Sequence, residues 1–371
     1  VCFMIAFVNA NIIDGTGAAP RKHQRLLVDG DRIVGIGSRL PIPEGAQIID
    51  LKGQTLMPGL IDSHIHMGNG YRKGIASGAE TNDYLDMRNV TLASGVTSIR
   101  SGGDYMLDSV RVRDLVSSGQ LRGPRMFVCG KHFMDRGSHP AATVWGSEDT
   151  KANCGAYPET PEEGREMVRQ FVDLGMDYIK LLISVSHSSV YPNQLPCIKD
   201  EIVEAVIDEA HKCGKKTACH VENLEKALMA VRFGADEIHH LITTTAKKSE
   251  VDEYDELFTL MCERDIWLVP TMVIPRAQEP RRLSKHAVDG AGIDHLVNLV
   301  RRAWEYGVLI GCGTDTGSPG LPWGPTLHGE LDEYVESVGM TPLEAIRCAT
   351  YNNGRILGME GKLGQLRVGA Y

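Results

Sequence analysis

Two histidines two residues apart, His64 and His66, lie in the apolar segment LMPGLIDSHIHM. If this segment is a β-strand, both side chains lie on the same face, because successive side chains of a strand alternate between its faces. Two imidazoles on one face supply half of the ligands of a metal site. The alternative is a pair of solvent-facing histidines in a loop, and the spacing alone does not separate the two.

Lys180 lies between apolar residues in DYIKLLIS, where a buried charge is costly. Burial lowers the pKa of a lysine, and a neutral amine can add carbon dioxide. The resulting carbamate is an anion able to bridge two metal ions, whereas an ammonium has no lone pair and cannot bind a metal ion. The alternative is a lysine that extends its ammonium to the solvent at the rim of the fold.

Three further segments carry metal-ligating side chains at the ends of apolar runs. His220 ends the run in KKTACHVEN, and the pair His239–His240 lies in GADEIHHLI. Adjacent strand residues point to opposite faces, so we expect only one of this pair to face the interior. Asp315 follows the run LIGCGT, and its alternative to metal binding is a role as a helix N-cap or turn residue. The alternative for His220 is a histidine of the core or of a loop.

The elements that must position these residues form a regular alternation after about residue 56. Short apolar runs alternate with amphipathic stretches, which predicts an α/β fold, a (β/α)8 TIM barrel. A doubly wound open sheet more usually has a Gly-rich nucleotide fingerprint, and none is convincing here. The predicted strands are Gly59–His66, Val96–Arg100, Arg125–Cys129, Tyr178–Ile183, Lys216–Val221, Glu237–Leu241, Trp267–Met272 and Leu309–Thr314. The predicted helices are Glu162–Leu174, Glu201–Lys212, Glu225–Phe233, Asp252–Arg264 and Ile293–Tyr306.

The barrel gives these side chains a common location. The candidates lie at the ends of strands one, five, six and eight and within strand four, and a TIM barrel brings its strand ends together around one mouth. Residues 1–55 read instead as short strands separated by Gly/Asp turns, with DGDR as a hairpin signal. We expect a β-sandwich over 1–55, to which 360–371 return, and a hydrolase barrel over 56–359.

Composition excludes several classes of protein. The 371 residues are 42% hydrophobic with a net charge of −9, which is unsuited to nucleic-acid binding and typical of a globular chain. No segment reaches transmembrane length. The nine cysteines have no paired spacing pattern, which favours a reducing cytoplasm.

Three motifs resemble the metal-dependent amidohydrolase superfamily, most closely its imidazolonepropionase-like and prolidase-like branch. They are PGLIDSHIH, ACHVENLEKALMAVRFGADEIHH and GTD. Such proteins usually continue past GKLGQLRVGAY, and this sequence starts at Val1, so we expect a partial sequence with an incomplete C-terminal part of the small domain. The resemblance implies two divalent metal ions, most suitably Zn²⁺ with Mn²⁺, Fe²⁺ or Co²⁺ as alternatives. The implied metal ligands are His64, His66 and Asp315 for one ion, His220 and His240 for the other, and the carbamate of Lys180 as the bridge.

The resemblance also implies catalytic roles. Asp315 would act as general base and then acid, and His139, in DRGSHP, would hold or polarise the substrate. His187 and Glu222 are candidates for the pocket wall. This chain departs from the family pattern where Glu222 follows strand five, and where His239 replaces a common Glu.

The implied function is binuclear metal-dependent hydrolysis of an amide or peptide-like C–N bond by a metal-bridging hydroxide. The substrate would be a small molecule such as an N-acyl amino acid, a dipeptide or a cyclic amide, and barrels of this type often form homo-oligomers. The alternatives are a mononuclear-metal deaminase of an amino-heterocycle and a catalytically inactive scaffold. Specificity would lie in the loops Asn69–Thr81, Phe133–Tyr157, Ser184–Pro196 and Thr316–Leu327.

Overall fold

The computed structural model describes residues 4–67, 82–143, 145–185, 195–241, 251–277, 293–317 and 321–371. The strands in this part of the chain are β1 (Met4–Ile12), β2 (Arg21–Asp29), β3 (Arg32–Gly37), β4 (Gln47–Asp50), β5 (Thr55–Leu56), β6 (Leu60–Ile65), β7 (Val96–Ser101), β8 (Arg125–Phe127), β9 (His132–Phe133), β10 (Gly155–Ala156), β11 (Ile179–Ile183), β12 (Thr217–Val221), β13 (Glu237–His240), β14 (Trp267–Val269) and β15 (Leu309–Ile310).

The helices are α1 (Asn82–Ala93), α2 (Met106–Ser117), α3 (Glu148–Cys154), α4 (Pro161–Asp173), α5 (Asp200–Lys212), α6 (Leu224–Arg232), α7 (Asp255–Glu263), α8 (Ile293–Tyr306), α9 (Pro325–Asp332), α10 (Pro342–Arg347) and α11 (Asn353–Ile356). A 3₁₀ turn, Val251–Tyr254, precedes α7, and π-helical segments follow α9 and α10. No helix in the described part of the chain is long and apolar enough to cross a membrane.

The N-terminal segment forms a sheet of its own. Strand β1 pairs antiparallel with β2 and parallel with β4 and β5, and β2 and β3 form the hairpin predicted from DGDR. Leu366 and Ala370 pack against this sheet, and the amide of Ile33 donates to the carbonyl of Ala370 at 2.9 Å. The chain thus returns to its first sheet after the barrel, while the domain boundaries at residues 55 and 359 stay a prediction.

Eight of the remaining described strands form the predicted TIM barrel, and the two-residue strands β9 and β10 pair beside β11. One arc is β6-β7-β8, and the other runs through β11-β12-β13-β14-β15, with parallel pairing throughout. The amide of His66 donates to Thr316 O at 2.6 Å and joins the arcs on one side. On the other side the amide of Asp177 donates to Val128 O at 2.8 Å.

Strand β11 shows how alternation separates the core from the barrel interior. Ile179, Leu181 and Ile183 pack with apolar residues of α4 and α5, in the layer between strands and helices. Lys180 therefore points the other way, towards the barrel axis, because its neighbours occupy the outward face. Burial of this apolar layer is the main favourable contribution to the stability of the barrel.

Strands β14 and β15 are shorter than predicted. Strand β14 ends at Val269, because Pro270 cannot donate a ladder hydrogen bond and Thr271 has a positive φ of 50°. Beyond β15 the chain continues beside β6 in irregular conformation, and the amide of Ser63 donates to Cys312 O at 3.0 Å. This irregular segment brings Asp315 to His64 in β6 and to His66 just after it.

Candidate metal centre

Strand β6 and the residue that follows it place His64 and His66 on one side, as the spacing predicts. Their ring centroids lie 5.3 Å apart, and both Nε2 atoms face Asp315 Oδ1, at 3.4 Å from His64 and 3.0 Å from His66. One potential ligand atom from each of these three residues lies within 4.8 Å of the others. We call His64, His66 and Asp315 the first cluster.

The backbone fixes Asp315 against β6. Its φ of 56° lies in the left-handed region, and its amide donates to His64 O at 2.7 Å. Beneath it, the buried carboxylate of Asp62 accepts hydrogen bonds from the hydroxyl of Thr314 at 2.7 Å and from the amide of His64 at 3.2 Å. Burial raises the pKa of Asp62 to about 7. The first cluster is therefore held by a network of hydrogen bonds under it.

The hydrogen bonding of the first cluster fits a cation. His66 Nδ1 lies 2.9 Å from Gly103 O, and a carbonyl only accepts, so Nδ1 carries a proton. In the neutral ring Nε2 then presents a lone pair to the Asp315 carboxylate, which requires a proton or a metal ion between them. Although burial opposes it, the hydrogen bond and charge of Asp315 raise the pKa of His66. Burial and the nearby Lys180 hold the pKa of His64 well below its usual range.

His220 and His240 form a second group beside the first, which we call the second cluster. Their ring centroids lie 4.5 Å apart, and the ring of His240 lies 4.9 Å from that of His64. A hydrogen bond of 2.7 Å joins His240 Nδ1 and Thr271 Oγ1. Among the described residues, His220 and His240 do not complete a group of three ligand atoms at the separation found in the first cluster.

Lys180 lies in the interior beside both clusters. It is 1% exposed, and burial lowers its pKa to about 8. Its charge in turn lowers the pKa values of His64 and His240. Nζ makes a hydrogen bond of 2.7 Å to His239 Nδ1. A buried lysine in this position requires either a partner for its charge or loss of the charge.

The expectation that only one of His239 and His240 faces the interior is wrong. Both rings lie against that of His64, with centroids 4.7 Å and 4.9 Å away. The strand alternation holds up to His239, but the backbone of His240 turns into the left-handed region at a φ of 73°. This turn swings the ring of His240 back into the mouth instead of outwards. Burial holds the pKa of each ring well below its usual range.

The loop candidates have different placements. The ring of His139 lies 5.7 Å from that of His220, and its Nδ1 is hydrogen-bonded to Thr143 Oγ1 at 2.6 Å. Glu222 is buried, accepts from the hydroxyl of Ser184 at 2.7 Å, and has Oε1 3.4 Å from His220 Nε2. His187 lies outside the described residues, as do the whole loop predicted over 69–81 and parts of 184–196 and 316–327.

Sequence reasoning missed two features of the site. His132 is buried 5.9 Å from the ring of His66 and 5.6 Å from that of Trp145, and its Nδ1 donates to Cys154 O at 3.1 Å. It lies on β9, a two-residue strand too short to leave a periodic signal. The second feature is the buried pair of Arg100 and Glu237, whose side chains join at 2.8 Å and 2.5 Å. Here the signal was available, because a charged residue in a buried strand needs a partner.

Comparison with known proteins places this geometry in context. Residues 55–371 match the sequence model of the Amidohydrolase family. Ochratoxinase from Aspergillus niger is 29% identical over 96% of this chain and 78% of its own length. The imidazolonepropionase of Alkaliphilus metalliredigens is 25% identical over 93% of this chain and 81% of its own.

Solved structures agree with the sequence matches. The crystal structure of A. niger ochratoxinase superposes with a TM-score of 0.82 and 25% identity, covering 99% of this chain and 88% of that one. A Xaa-Pro dipeptidase with methionine bound in its active site has a TM-score of 0.79 and 26% identity, covering 99% of this chain and 92% of that one.

Proposed function

This chain belongs to the amidohydrolase family and is a hydrolase of carbon–nitrogen bonds, and we propose that it cleaves an amide with the help of two divalent metal ions. One observation carries the proposal: the first and second clusters are adjacent, with the rings of His64 and His240 4.9 Å apart. Imidazole and carboxylate donors at this spacing suit Zn²⁺, and Mn²⁺, Fe²⁺ and Co²⁺ are the alternatives. The first cluster would hold one ion and the second cluster the other.

Lys180 supplies the bridging ligand in this proposal. The neutral amine forms an Nζ–C bond to carbon dioxide while one C–O π bond breaks. That electron pair becomes the carboxylate charge, and Nζ releases one proton to solvent. Two observations support a carbamate here: burial lowers the pKa of Lys180 to about 8, and among the described residues His220 and His240 belong to no group of three ligand atoms that all lie within 4.8 Å of one another.

The protein residues move and hold protons around the reacting bond. Bound divalent ions would ionise a water molecule between them and polarise the substrate carbonyl. Asp315 accepts the proton of the attacking water and donates it to the leaving nitrogen as the C–N bond breaks. Thr143 fixes the ring of His139, which we assign to holding the substrate carbonyl group. Cys219 packs in the apolar layer outside the barrel and takes no part.

The substrate is a small molecule, and we propose an N-acyl amino acid, a dipeptide or a cyclic amide. The names of two relatives support this choice, since one is a Xaa-Pro dipeptidase and another an imidazolonepropionase. Location in the cytoplasm and assembly into a homo-oligomer remain predictions.

A turnover screen combined with metal analysis tests the proposal. Protein loaded with Zn²⁺ or Mn²⁺ in bicarbonate buffer is expected to hold two ions per chain and to release amine from members of the three amide classes. A single ion together with ammonia release from amino-heterocycles would instead identify a mononuclear deaminase. Absence of both metal and turnover would identify an inactive scaffold.

A further inference from the structure

A line of four buried polar side chains runs through the barrel interior from Lys180 on β11 to Arg100 on β7. Lys180 Nζ bonds to His239 Nδ1 at 2.7 Å, and His239 Nε2 lies 3.1 Å from Glu237 Oε2. Both oxygens of Glu237 accept from Arg100, whose Nε donates to Ser63 O at 2.8 Å. None of the four is more than 2% exposed, so water does not compete for these hydrogen bonds.

The end of this line at Arg100 sets the direction of every hydrogen bond in it. Since Arg100 only donates, Glu237 is the acceptor and takes a second hydrogen bond from His239 Nε2. His239 Nε2 also lies 3.4 Å from Arg100 Nη2, but its closer contact, at 3.1 Å, is with the Glu237 carboxylate, which only accepts. The proton of the neutral imidazole therefore lies on Nε2, and Nδ1 presents its lone pair to Lys180. Arg100 and Glu237 thus fix the tautomer of His239, in the way that partners behind a metal-binding histidine fix that histidine.

We propose that His239 is a positioning residue that sets the plane of the Lys180 carbamate. The inference rests on the carbamate of the proposed function. A carbamate is planar and keeps one N–H on Nζ, and His239 Nδ1 accepts that hydrogen. The hydrogen bond fixes the direction of N–H, and planarity then fixes the directions of both carbamate oxygens. His239 therefore aims the two oxygens at the two clusters without binding a metal ion itself.

Two substitutions separate this role from a merely structural one. The amide of asparagine reaches the place of Nδ1, so His239→Asn keeps an acceptor for Lys180 and loses the contact with Glu237. The amide of glutamine reaches the place of Nε2, so His239→Gln keeps the donor to Glu237 and loses the acceptor for Lys180. His239→Leu loses both, at a similar volume.

The readout is the carbamate itself, recorded by ¹³C NMR in ¹³C-bicarbonate with Zn²⁺ present, alongside metal content per chain. Loss of one buried hydrogen bond is expected to raise the bicarbonate concentration at half-maximal carbamate signal about tenfold in His239→Gln and His239→Leu. His239→Asn is expected to stay near the wild-type value. Equal values in all four proteins, or rescue by Gln and not by Asn, would overturn the inference.

The wild-type protein provides a second measurement that does not depend on how the variants fold. In a crystal structure of the metal-loaded protein, the carbamate nitrogen is expected within hydrogen-bond distance of His239 Nδ1, and a separation beyond about 3.5 Å would overturn the inference. If the wild type gives a carbamate signal but fails this distance test, the proposed function survives and the role of His239 does not. If the wild type gives no carbamate signal at all, the bridging ligand of the proposed function is itself wrong.

Discussion

The two clusters in the barrel mouth are held in different ways. In the first cluster, His66 is oriented by the backbone carbonyl of Gly103, and Asp315 by the backbone of His64. In the second cluster, His240 is oriented by the side chain of Thr271, and among the described residues its two histidines belong to no group of three ligand atoms as compact as the first cluster. The first cluster thus has its three ligand side chains in place in the folded chain, whereas in the proposed function the second cluster also depends on the carbamate of Lys180. We expect the two ions to differ in affinity and in their response to carbon dioxide.

The largest effect is expected from Asp315→Asn, which removes both a first-cluster ligand and the proton acceptor. Because general acid–base catalysis contributes about 10²–10⁴-fold, kcat/KM should fall about 1,000-fold. Steady-state kinetics and thermal unfolding measure the change, and Asp332→Asn, at an exposed position of α9, is the control. Unchanged kinetics would remove Asp315 from the mechanism.

Lys180→Met should affect the second cluster and leave the first intact. Without the carbamate, His220 and His240 alone bind an ion weakly, so metal analysis should find a single ion per chain. We expect turnover to fall about 100-fold, because loss of the second ion also removes the positioning of the attacking water. The exposed Lys362→Met is the control. A variant that keeps both ions and full turnover would contradict the carbamate.

The pH dependence of carbamate formation tests the dependence of the second cluster on Lys180 without a substitution. Carbon dioxide reacts with the neutral amine, and burial lowers the pKa of Lys180 to about 8. At constant dissolved carbon dioxide, the rate of carbamate formation in metal-free protein should therefore fall about tenfold per pH unit below pH 8 and level off above it. To measure this rate, metal is added after increasing times of exposure to carbon dioxide, and turnover is then assayed. A rate independent of pH between 6 and 8 would be inconsistent with reaction at Lys180.

The smallest effect is expected from Thr271→Val, which removes the hydroxyl bonded to His240 and keeps the side-chain shape. Loss of a partner behind a metal-binding histidine weakens metal binding about tenfold or more, so the second ion should dissociate more readily while the first is unaffected. Titration of metal-free protein with Zn²⁺, with Thr326→Val as the control, measures both affinities. An equal loss of affinity for both ions would show that the two clusters are not held independently.

The sequence predicted much of the fold because barrel strands and their helices leave regular signals. The prediction for Ile293–Tyr306 matches the bounds of α8, and β6 was predicted to within a residue at each end. The positions of the candidates at strand ends, together with the resemblance to the amidohydrolase superfamily, likewise led to the residues of both clusters, since strand ends of a barrel converge.

Features that depend on single backbone angles or on distant partners could not be predicted. The positive φ of His240 overrides strand alternation, and no local pattern encodes it. His132 reaches the site because β9 pairs with β11, which is a contact across the fold. The ends of β14 and β15 are set by Pro270 and by pairing with β6, so their apolar runs were read as longer strands.

Closure of the barrel between β6 and the segment after β15 has a consequence for how the protein matures. Ser63 and Cys312 are hydrogen-bonded across 249 residues of sequence, and the first cluster spans the same seam. A growing polypeptide on the ribosome therefore lacks the complete first cluster of metal-ligand side chains until nearly all of the barrel has been synthesised. A metal ion bound by the first cluster would stabilise the closed barrel late in folding. An ion that binds only the closed barrel shifts the equilibrium between open and closed barrel towards the closed form.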